Sequence, residues 1–485
     1  MTEARGFDWR IVRVVAVILL AIKLVLLVAA HPFMDETYYF VWGRHLQLSY
    51  FDHPALVGWT EALGGALFGW TIVGLRATVL LTLVGDLVLL YLFARRSSAP
   101  DDWRWTFWMS VTIFLATPIL FGLSSVALPD HLLLFFSLAA VYCVERLRHD
   151  PQSVRWLYLA ALAIALATLS KYTGALLGVA LLIYLIQARP LRWWFRSPHL
   201  YLAILVAVAL QVPVLIWNAQ HGAASFGFIV GGHVRPQSGS FAVNPESIRG
   251  FLVGGLAVLS PFLLYPLTRF VFAGRDGHGY ARMVFLLSTG GFFIASFATN
   301  ILIHWNAIAY VAALPFLSRF YHSRVLLSAQ LLYGTAAIVL AGINYAALPV
   351  TAPLGGADQT SAWSYGWDEV GAAVAELKAK EPIGFVAATD YALASPLAFA
   401  LRDPDVTSIS AHRDGYDDWF EPQAHKGQTA LIVADTWRPL PGDFAAQFAS
   451  VEVGRIVDIA RYGYRVDHYT IYIARAFAPP SQPTN

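Results

Sequence analysis

Apolar segments of about 20 residues recur along the first 346 residues of the chain. A transmembrane helix needs about 20 consecutive apolar residues. Only 13% of the residues are charged, whereas soluble domains carry about 25%. The candidate spans are residues 11–30, 72–94, 105–122, 129–147, 155–170, 172–188, 199–217, 248–270, 282–300, 304–320 and 325–346. The fifth and sixth are short and adjacent, so one broken helix with a re-entrant piece is an alternative there. The sequence thus predicts an all-α polytopic membrane domain, residues 1–346, with about 11 transmembrane helices.

Arginines are distributed unequally between alternate loops of this predicted domain. The arginine-rich loops contain Arg5, Arg10, Arg13, Arg95, Arg96, Arg104, Arg146, Arg148, Arg155, Arg189, Arg192, Arg196, Arg269, Arg275, Arg282, Arg319 and Arg324. The intervening loops carry few basic residues, namely Arg44, Lys171 and Arg235. Because cytoplasmic loops carry the excess of Lys and Arg, the N-terminus is predicted inside and the C-terminus outside. Residues 31–71, 118–129, 218–247 and those after about 347 are then outside.

The composition changes after residue 346. Residues 347–485 contain many Pro, Gly and charged residues, and none of their segments is apolar enough to span a membrane. The patterns predict helices at 367–380 and 391–401, and strands at 383–388, 406–410, 429–434 and 469–474. The sequence therefore predicts a small C-terminal α/β soluble domain on the outer side, over residues 347–485.

Acidic and basic residues are concentrated in the loops that the arginine pattern places outside. Asp35 and Glu36 directly follow the first span, and an aromatic segment that includes Tyr38 and Trp42 follows them as an interfacial helix. The other candidates in outer loops are Arg44, Asp52, His53, Asp130, Lys171, Tyr172 and His304. Carboxylates near hydrocarbon are costly unless they are solvated, paired or functional. We therefore expect these loops to converge on a catalytic site at the outer membrane interface.

Each candidate also has a structural explanation. Acids in a first helical turn interact favourably with the helix dipole, which covers Asp35 and Glu36, and Asp130 after Pro129 suits a helix N-cap. Asp52-His53-Pro54 suits a turn, and Lys171 near a span end could extend to the interface. A lone histidine such as His304 is more often structural.

The residue types nevertheless suit glycosyl transfer. A carboxylate can deprotonate an acceptor hydroxyl or amine, and cationic groups or a metal can stabilise a departing phosphate. Lys171, Arg44 and His53 supply cations, and a divalent metal ion held by Asp52 and His53 is an alternative. The single cysteine, Cys143, excludes an intramolecular disulfide. A nucleotide-sugar donor does not suit acids that face outward, and no nucleic-acid partner is expected.

These motifs resemble those of the polytopic C-type glycosyltransferases. The resemblance rests on Asp35-Glu36 with its aromatic helix, residues 50–54 (Tyr-Phe-Asp-His-Pro), Pro129-Asp130 and residues 170–172 (Ser-Lys-Tyr). It covers about residues 10–320 and is closest to the lipid A aminoarabinose transferases and the dolichyl-phosphate-mannose–protein mannosyltransferases. It implies a polyprenyl-phosphate-linked sugar donor and inversion at the anomeric carbon.

The resemblance also implies roles for individual residues. Asp35 matches the proposed general base, and Asp130 matches the acid at the start of the fourth span. Asp52 matches an acid that contacts metal or carrier phosphate, whereas His53 stands where the aminoarabinose transferases have lysine. Tyr38 stands near the position of an arginine in those enzymes, so Lys171 or Arg44 gains importance for phosphate binding.

Our leading hypothesis is a multi-pass glycosyltransferase of the bacterial inner membrane. It would move a sugar from a polyprenyl-phosphate carrier to lipid A or lipopolysaccharide, a polysaccharide or a protein at the periplasmic face. One alternative is a transporter or flippase for a lipid-linked sugar, and another is a sensor that uses the outer domain. The sequence identifies neither the sugar nor the acceptor.

Overall fold

The computed structural model describes residues 8–97, 102–229, 243–272, 278–321 and 323–480. It is mostly helical, with a small C-terminal sheet region, as predicted. The α-helices are α1 (Trp9–Ala29), α2 (Met34–Trp42), α3 (Leu56–Phe68), α4 (Ile72–Ser97), α5 (Trp103–Leu115), α6 (Pro118–Leu123), α7 (Pro129–His149), α8 (Val154–Ser170), α9 (Ala175–Gln187), α10 (Pro198–Ala209), α11 (Val212–Gln220), α12 (Ala224–Gly227), α13 (Pro245–Arg249), α14 (Gly255–Leu259), α15 (Leu264–Phe272), α16 (Gly279–Ala295), α17 (Ala307–Leu317), α18 (Arg324–Ala346), α19 (Gln359–Ala362), α20 (Trp367–Lys378), α21 (Tyr391–Leu401) and α22 (Gly442–Ala445). Short 3₁₀ segments include Tyr172–Gly174 and Ile303–Asn306.

The predicted count of eleven spans is not confirmed. Within the described ranges, three helices are long and apolar enough to cross a membrane: Trp9–Ala29, Ile72–Arg96 and Arg324–Ala346. Three bent helix pairs raise the number to six if each pair is one span: Tyr172–Gln187 with Arg189–Arg196, Pro198–Ala209 with Val212–Gln220, and Pro245–Leu259 with Pro261–Phe272. Several predicted spans are shorter in the structure, because helices end within them. The predicted span 105–122, for example, is divided between α5 and α6.

The chain forms two compact units. The first comprises Met1–Leu27, Gln47–Val57 and Ala77–Val339, and the second comprises Val28–Leu46, Gly58–Arg76 and Leu340–Asn485. Within the first unit, α7 packs along α8 and α17, and α16 packs against α9 and α17. Part of the predicted outer loop 218–247, residues 230–242, lies outside the described residues. The predicted domain boundary at residues 346–347 and the predicted orientation stay predictions.

A five-stranded sheet lies in the second unit. Its strands are β1 (Phe385–Ala388), β2 (Thr407–Ser408), β3 (Ala430–Ala434), β4 (Phe448–Arg461) and β5 (Tyr464–Phe477). The order is β2-β1-β3-β5-β4, with β1 parallel to β2 and β3, and β5 antiparallel to β3 and β4. The register pairs Ala387 with Thr407 and with Ile432. Apolar residues from β1, β3 and β5 form one core against this sheet. In the same unit, α2 and α20 both pack against α21.

Candidate functional site

The predicted site residues are distributed over the two units. Asp52, His53, Asp130, Lys171, Tyr172 and His304 belong to the first unit, and Asp35, Glu36 and Arg44 belong to the second.

Asp130 and Lys171 form a buried ion pair in the first unit. Pro129 opens α7, whose preceding residue has extended backbone, and this places Asp130 in the first helical turn. Lys171 follows the last residue of α8 and is itself extended, with φ −153° and ψ 137°. Its Nζ donates to both carboxylate oxygens of Asp130, each at 2.9 Å. The side chains are 5% and 3% exposed. Because buried charges are stable only when paired and hydrogen-bonded, each residue fixes the position of the other.

Two predicted histidines lie within electrostatic range of this pair. His304 is in the 3₁₀ segment before α17, and its ring interacts with both Asp130 and Lys171. His53 also acts on Asp130. Its carbonyl oxygen accepts a hydrogen bond from Tyr50 N in a turn closed by a bridge between Ser49 and Pro54. Both imidazoles are half-buried. Four candidates from four separate stretches of the chain thus interact electrostatically, and Lys171 supplies the positive charge among them.

Asp52 lies in the turn between Ser49 and Pro54, and Tyr172 opens the 3₁₀ segment Tyr172–Gly174. Asp52 is half-buried, and Tyr172 exchanges a hydrogen bond of 2.7 Å with Ser225 Oγ. In the ranges that the structure describes, no three His, Cys, Asp or Glu side chains are grouped so that they could hold a metal ion. The Asp52–His53 pair can supply two ligand side chains at most. Such a pair suits only a divalent cation whose remaining positions are filled by substrate phosphate and water.

Glu36 has a structural partner in the second unit. Arg76 donates from Nε to Glu36 Oε1 at 2.8 Å and from Nη2 to Oε2 at 2.7 Å. Glu36 Oε2 also accepts from the backbone N–H of Phe33, at 2.9 Å. Arg76 additionally donates to the carbonyl oxygens of Ala30 and His31. Glu36 is fully buried, so this bidentate pair joins the start of α2 to α4.

Asp35 is more accessible than its neighbour. It is half-buried in the first turn of α2, and Tyr391 Oη donates to its Oδ1 at 3.4 Å. Tyr38, one turn further along, accepts a hydrogen bond from Gly415 N at 2.8 Å and is buried. Asp35 is therefore the more exposed carboxylate of this acidic pair.

Arg44 lies between aromatic rings. Its guanidinium carbon is 5.0 Å from the ring centroid of Phe40 and 5.3 Å from that of Trp70, at cation–π distance. A Cβ on Gly65 would lie 1.7 Å from Arg44 Nη2, so a side chain there would displace the guanidinium. Glu61, which is buried, attracts the guanidinium. Because the two rings and Glu61 already attract the guanidinium, less of it is available for the phosphate contact predicted for Arg44.

Sequence reasoning missed a buried polar cluster in the first unit. Lys23, inside α1, donates to Phe121 O at 2.9 Å, to Ser124 Oγ at 3.0 Å and to Ser125 Oγ. Asp86, inside α4, attracts Lys23, and neither of its carboxylate oxygens has a hydrogen-bond partner among the described residues. Both residues are almost fully buried. The sequence does contain a signal that could have identified these residues, because each is a charged residue within an apolar run. An ionisable residue within a membrane span is a candidate functional residue by default.

His131 is also buried, next to Asp130. Its Nδ1 is 2.9 Å from Thr82 Oγ1 on α4, and its Nε2 has no hydrogen-bond partner in the described part of the chain. The contact ties the first turn of α7 to α4, and so it helps to position Asp130.

Comparison with solved structures defines the fold class. ArnT from Cupriavidus metallidurans bound to undecaprenyl phosphate superposes with a TM-score of 0.65 at 18% identity, covering 96% of this chain and 99% of that one. Its apo state gives 0.64 at 18% identity, covering 98% and 99%. The chain thus has the fold of these C-type glycosyltransferases.

Sequence comparison gives the family resemblance. Residues 52–217 match the family described as dolichyl-phosphate-mannose-protein mannosyltransferase. The lipid A galacturonosyltransferase RgtD of Rhizobium johnstonii is 26% identical over 196 residues, which are 39% of this chain and 39% of that protein. The match thus spans about two fifths of this curated relative. The resemblance to polytopic C-type glycosyltransferases, indicated by the motifs, is confirmed.

Proposed function

We propose that this protein is a glycosyltransferase of the bacterial inner membrane. It takes a sugar from a polyprenyl-phosphate carrier and adds it, at the outer face, to lipid A or lipopolysaccharide, a polysaccharide or a protein. The observation that carries the proposal is the Asp130–Lys171 pair with His53 and His304 near it. Such a cluster provides cationic and hydrogen-bonding groups that suit a lipid-linked phosphate.

The proposed reaction is a single displacement with inversion. Asp35 accepts the proton of the acceptor hydroxyl or amine as that atom bonds to the anomeric carbon. The bond between the anomeric carbon and the phosphate oxygen breaks, and its electron pair leaves with the polyprenyl phosphate. Preorganised cations stabilise charge that develops on a leaving group. We assign that role to Lys171, with His53 and His304 as hydrogen-bond donors to the phosphate and Arg44 and Tyr172 as secondary contacts.

Asp130 has a positioning role in this proposal, because its carboxylate holds the ammonium group of Lys171. Asp52 and His53 would hold a divalent metal ion if one takes part, and that ion would supply further positive charge at the phosphate. Glu36 is also predicted from the sequence to be catalytic. In this proposal it would act indirectly, because its ion pair with Arg76 fixes the start of α2.

The relatives support a donor and acceptor of this chemistry. One of them is named for galacturonosyl transfer to lipid A, and another binds undecaprenyl phosphate. We extend these properties to the present chain as part of the proposal. Because the relatives differ in sugar and acceptor, both remain to be measured.

A transporter or flippase of lipid-linked sugar is the second candidate. The buried Lys23–Asp86 pair favours it, since ionisable residues within a membrane often mark ion or substrate pathways. Lys23 is nevertheless hydrogen-bonded to the chain segment that leads into α7, which gives it a structural function.

Reconstituted protein distinguishes the two candidates. Proteoliposomes receive polyprenyl phosphate linked to galacturonic acid, mannose or aminoarabinose, together with lipid A, and products are identified by mass spectrometry. Wild-type protein and the Lys380→Gln control, which alters an exposed charge, should form a glycoside from at least one donor. Asp35→Asn should form none and stay folded. Movement of the labelled donor between leaflets without any glycoside would favour the transporter, and full turnover by Asp35→Asn would refute the assigned base.

A further inference from the structure

A cavity of about 430 Å³ lies entirely within the second unit. Its walls include Val28 and Ala29 at the end of α1, Trp70 and Ile72 at the start of α4, and Arg402 after α21. The volume is within the range of about 300–1,000 Å³ that is typical of small-molecule sites. No residue assigned to glycosyl transfer lines it.

The cavity lies where two candidate membrane spans end. Trp9–Ala29 and Ile72–Arg96 are both long and apolar enough to cross a bilayer. Val28, which lines the cavity, and Val73, which follows the lining residue Ile72, are both exposed. Trp70 also lines the cavity. Tryptophan is enriched at the level of lipid headgroups. The cavity therefore opens at headgroup depth, beside apolar surface that suits acyl chains.

Charges of both signs line the cavity. Arg461 Nη2 and Glu369 Oε1 form an ion pair at 2.7 Å, so these two residues satisfy each other. Arg402 and Asp368 also line it, and both are exposed. Within the described part of the chain, neither side chain has a hydrogen bond or an ion pair. Burial and the nearby guanidinium of Arg461 lower the pKa of His31, so its imidazole adds no charge near neutral pH.

We propose that this cavity binds the headgroup of a zwitterionic glycerophospholipid that carries a primary ammonium. Arg402 pairs with the phosphate, and Asp368 accepts hydrogen bonds from the ammonium. The acyl chains lie along the exposed faces of α1 and α4 that carry Val28 and Val73. This inference is independent of glycosyl transfer and concerns a lipid that is not consumed.

The charge pattern selects this headgroup over two others. A purely anionic headgroup would satisfy Arg402 but meet the carboxylates of Asp368 and Glu369. A trimethylated ammonium has no N–H to donate, so it cannot hydrogen-bond to Asp368. A phosphoethanolamine headgroup provides both the anion and the hydrogen-bonding cation.

Arg402 offers a substitution that should not unfold the protein. Its φ is +55° at the end of α21, and glycine is favoured in this left-handed conformation. Arg402→Gly therefore removes the guanidinium while it relieves the backbone. Asp368→Asn tests the ammonium contact, and Lys380→Gln is the matched control for the loss of one exposed positive charge.

The test is native mass spectrometry of the delipidated full-length protein in detergent. The protein is offered equal amounts of phosphatidylethanolamine, phosphatidylcholine and phosphatidylglycerol. Wild type and Lys380→Gln should retain phosphatidylethanolamine preferentially. Arg402→Gly and Asp368→Asn should each retain it about tenfold less, as expected for loss of a charged hydrogen bond. Equal retention of all three lipids by wild type, a preference for phosphatidylglycerol, or unchanged retention by Arg402→Gly would overturn the proposal.

Discussion

Lys171 Nζ donates one hydrogen bond to each carboxylate oxygen of Asp130, and both side chains are nearly inaccessible to solvent. Removal of two charges from water is costly, and mutual attraction with good geometry must repay that cost. In this pair the geometry is bidentate, and His53 and His304 add to the attraction that acts on Asp130. The pair therefore links the start of α7 to the end of α8.

Replacement of one member of this pair should destabilise the protein. Lys171→Met leaves the Asp130 carboxylate buried without its ammonium, at a cost of about 3–5 kcal/mol. We expect a lower midpoint for heat-induced unfolding in detergent, together with loss of sugar transfer. The matched variant Asp130→Asn/Lys171→Met should regain most of the midpoint, because it leaves no unpaired charge, but not the transfer. A Lys171→Met protein as stable as wild type would contradict this description.

Lys23 should stabilise the segment that precedes α7. Lys23→Met removes its hydrogen bonds to Phe121, Ser124 and Ser125 and the attraction between Lys23 and Asp86. The unfolding midpoint of Lys23→Met should fall, and Lys23→Met/Asp86→Asn should recover part of the loss. If the single and double variants unfold at the same temperature, Asp86 is not coupled to Lys23.

Asp35 and Glu36 should differ in what their loss affects. Glu36→Gln breaks the buried bidentate pair with Arg76, so its unfolding midpoint should drop, by an amount that corresponds to a few kcal/mol. Asp35 itself is half-buried, and Asp35→Asn keeps an oxygen that can accept from Tyr391. Its free energy of unfolding should therefore fall by less than that of Glu36→Gln, while transfer is lost. If Asp35→Asn instead lowered stability and Glu36→Gln abolished transfer without unfolding, Glu36 would be the base and Asp35 the structural residue.

Asp467 should make the stability of the second unit depend on pH. Burial, together with nearby Asp435, raises the pKa of Asp467 from 3.8 to about 6. The hydrogen bond from His468 N acts in the opposite direction but is the weaker effect. The folded state thus holds a proton more tightly than the unfolded state does. This stabilisation is present below about pH 4 and is lost as pH rises through about 6. The shift is worth roughly 3 kcal/mol at most.

Asp467→Asn provides the check on this pH dependence. Unfolding midpoints of wild type and variant are compared from pH 4.5 to pH 7.5 in the same detergent. The midpoint of wild type should fall relative to that of Asp467→Asn as pH rises. Parallel curves for the two proteins would show that Asp467 does not titrate in this range.

The sequence predicted local structure best where a local signal starts the element. Helix α21 has the bounds that the pattern predicted, because Asp390 caps it by accepting from Ala392 N. Strand β4 was not predicted, since most of its residues are exposed or half-buried and its apolar residues do not alternate along its whole length. An uninterrupted apolar run also gives no indication of where one helix ends and the next begins. The second helices of the bent pairs have proline in their first turn, at Pro190, Pro213 and Pro261.

The sequence indicated which loops carry the candidate residues but not how those residues pair. Loop charges indicated that all the outer-loop candidates, Asp35 and Asp52 included, would converge, and the structure shows electrostatic contact among Asp130, Lys171, His53 and His304. The partner of Glu36 is Arg76, which lies 40 residues away within an apolar helix. Nothing in the local sequence distinguishes such a pair from two unrelated charges, because side-chain conformation and helix packing determine it.

The central claim is tested most directly by mass spectrometry of envelope lipids and glycans. Extracts are compared from cells that lack the protein, cells that make it, and cells that make Asp35→Asn at the same level in the membrane. We predict that one envelope component gains the mass of a single sugar only with the active protein, and that unmodified acceptor accumulates in the other two. An identical set of glycosylated components in all three would contradict the assignment as a glycosyltransferase.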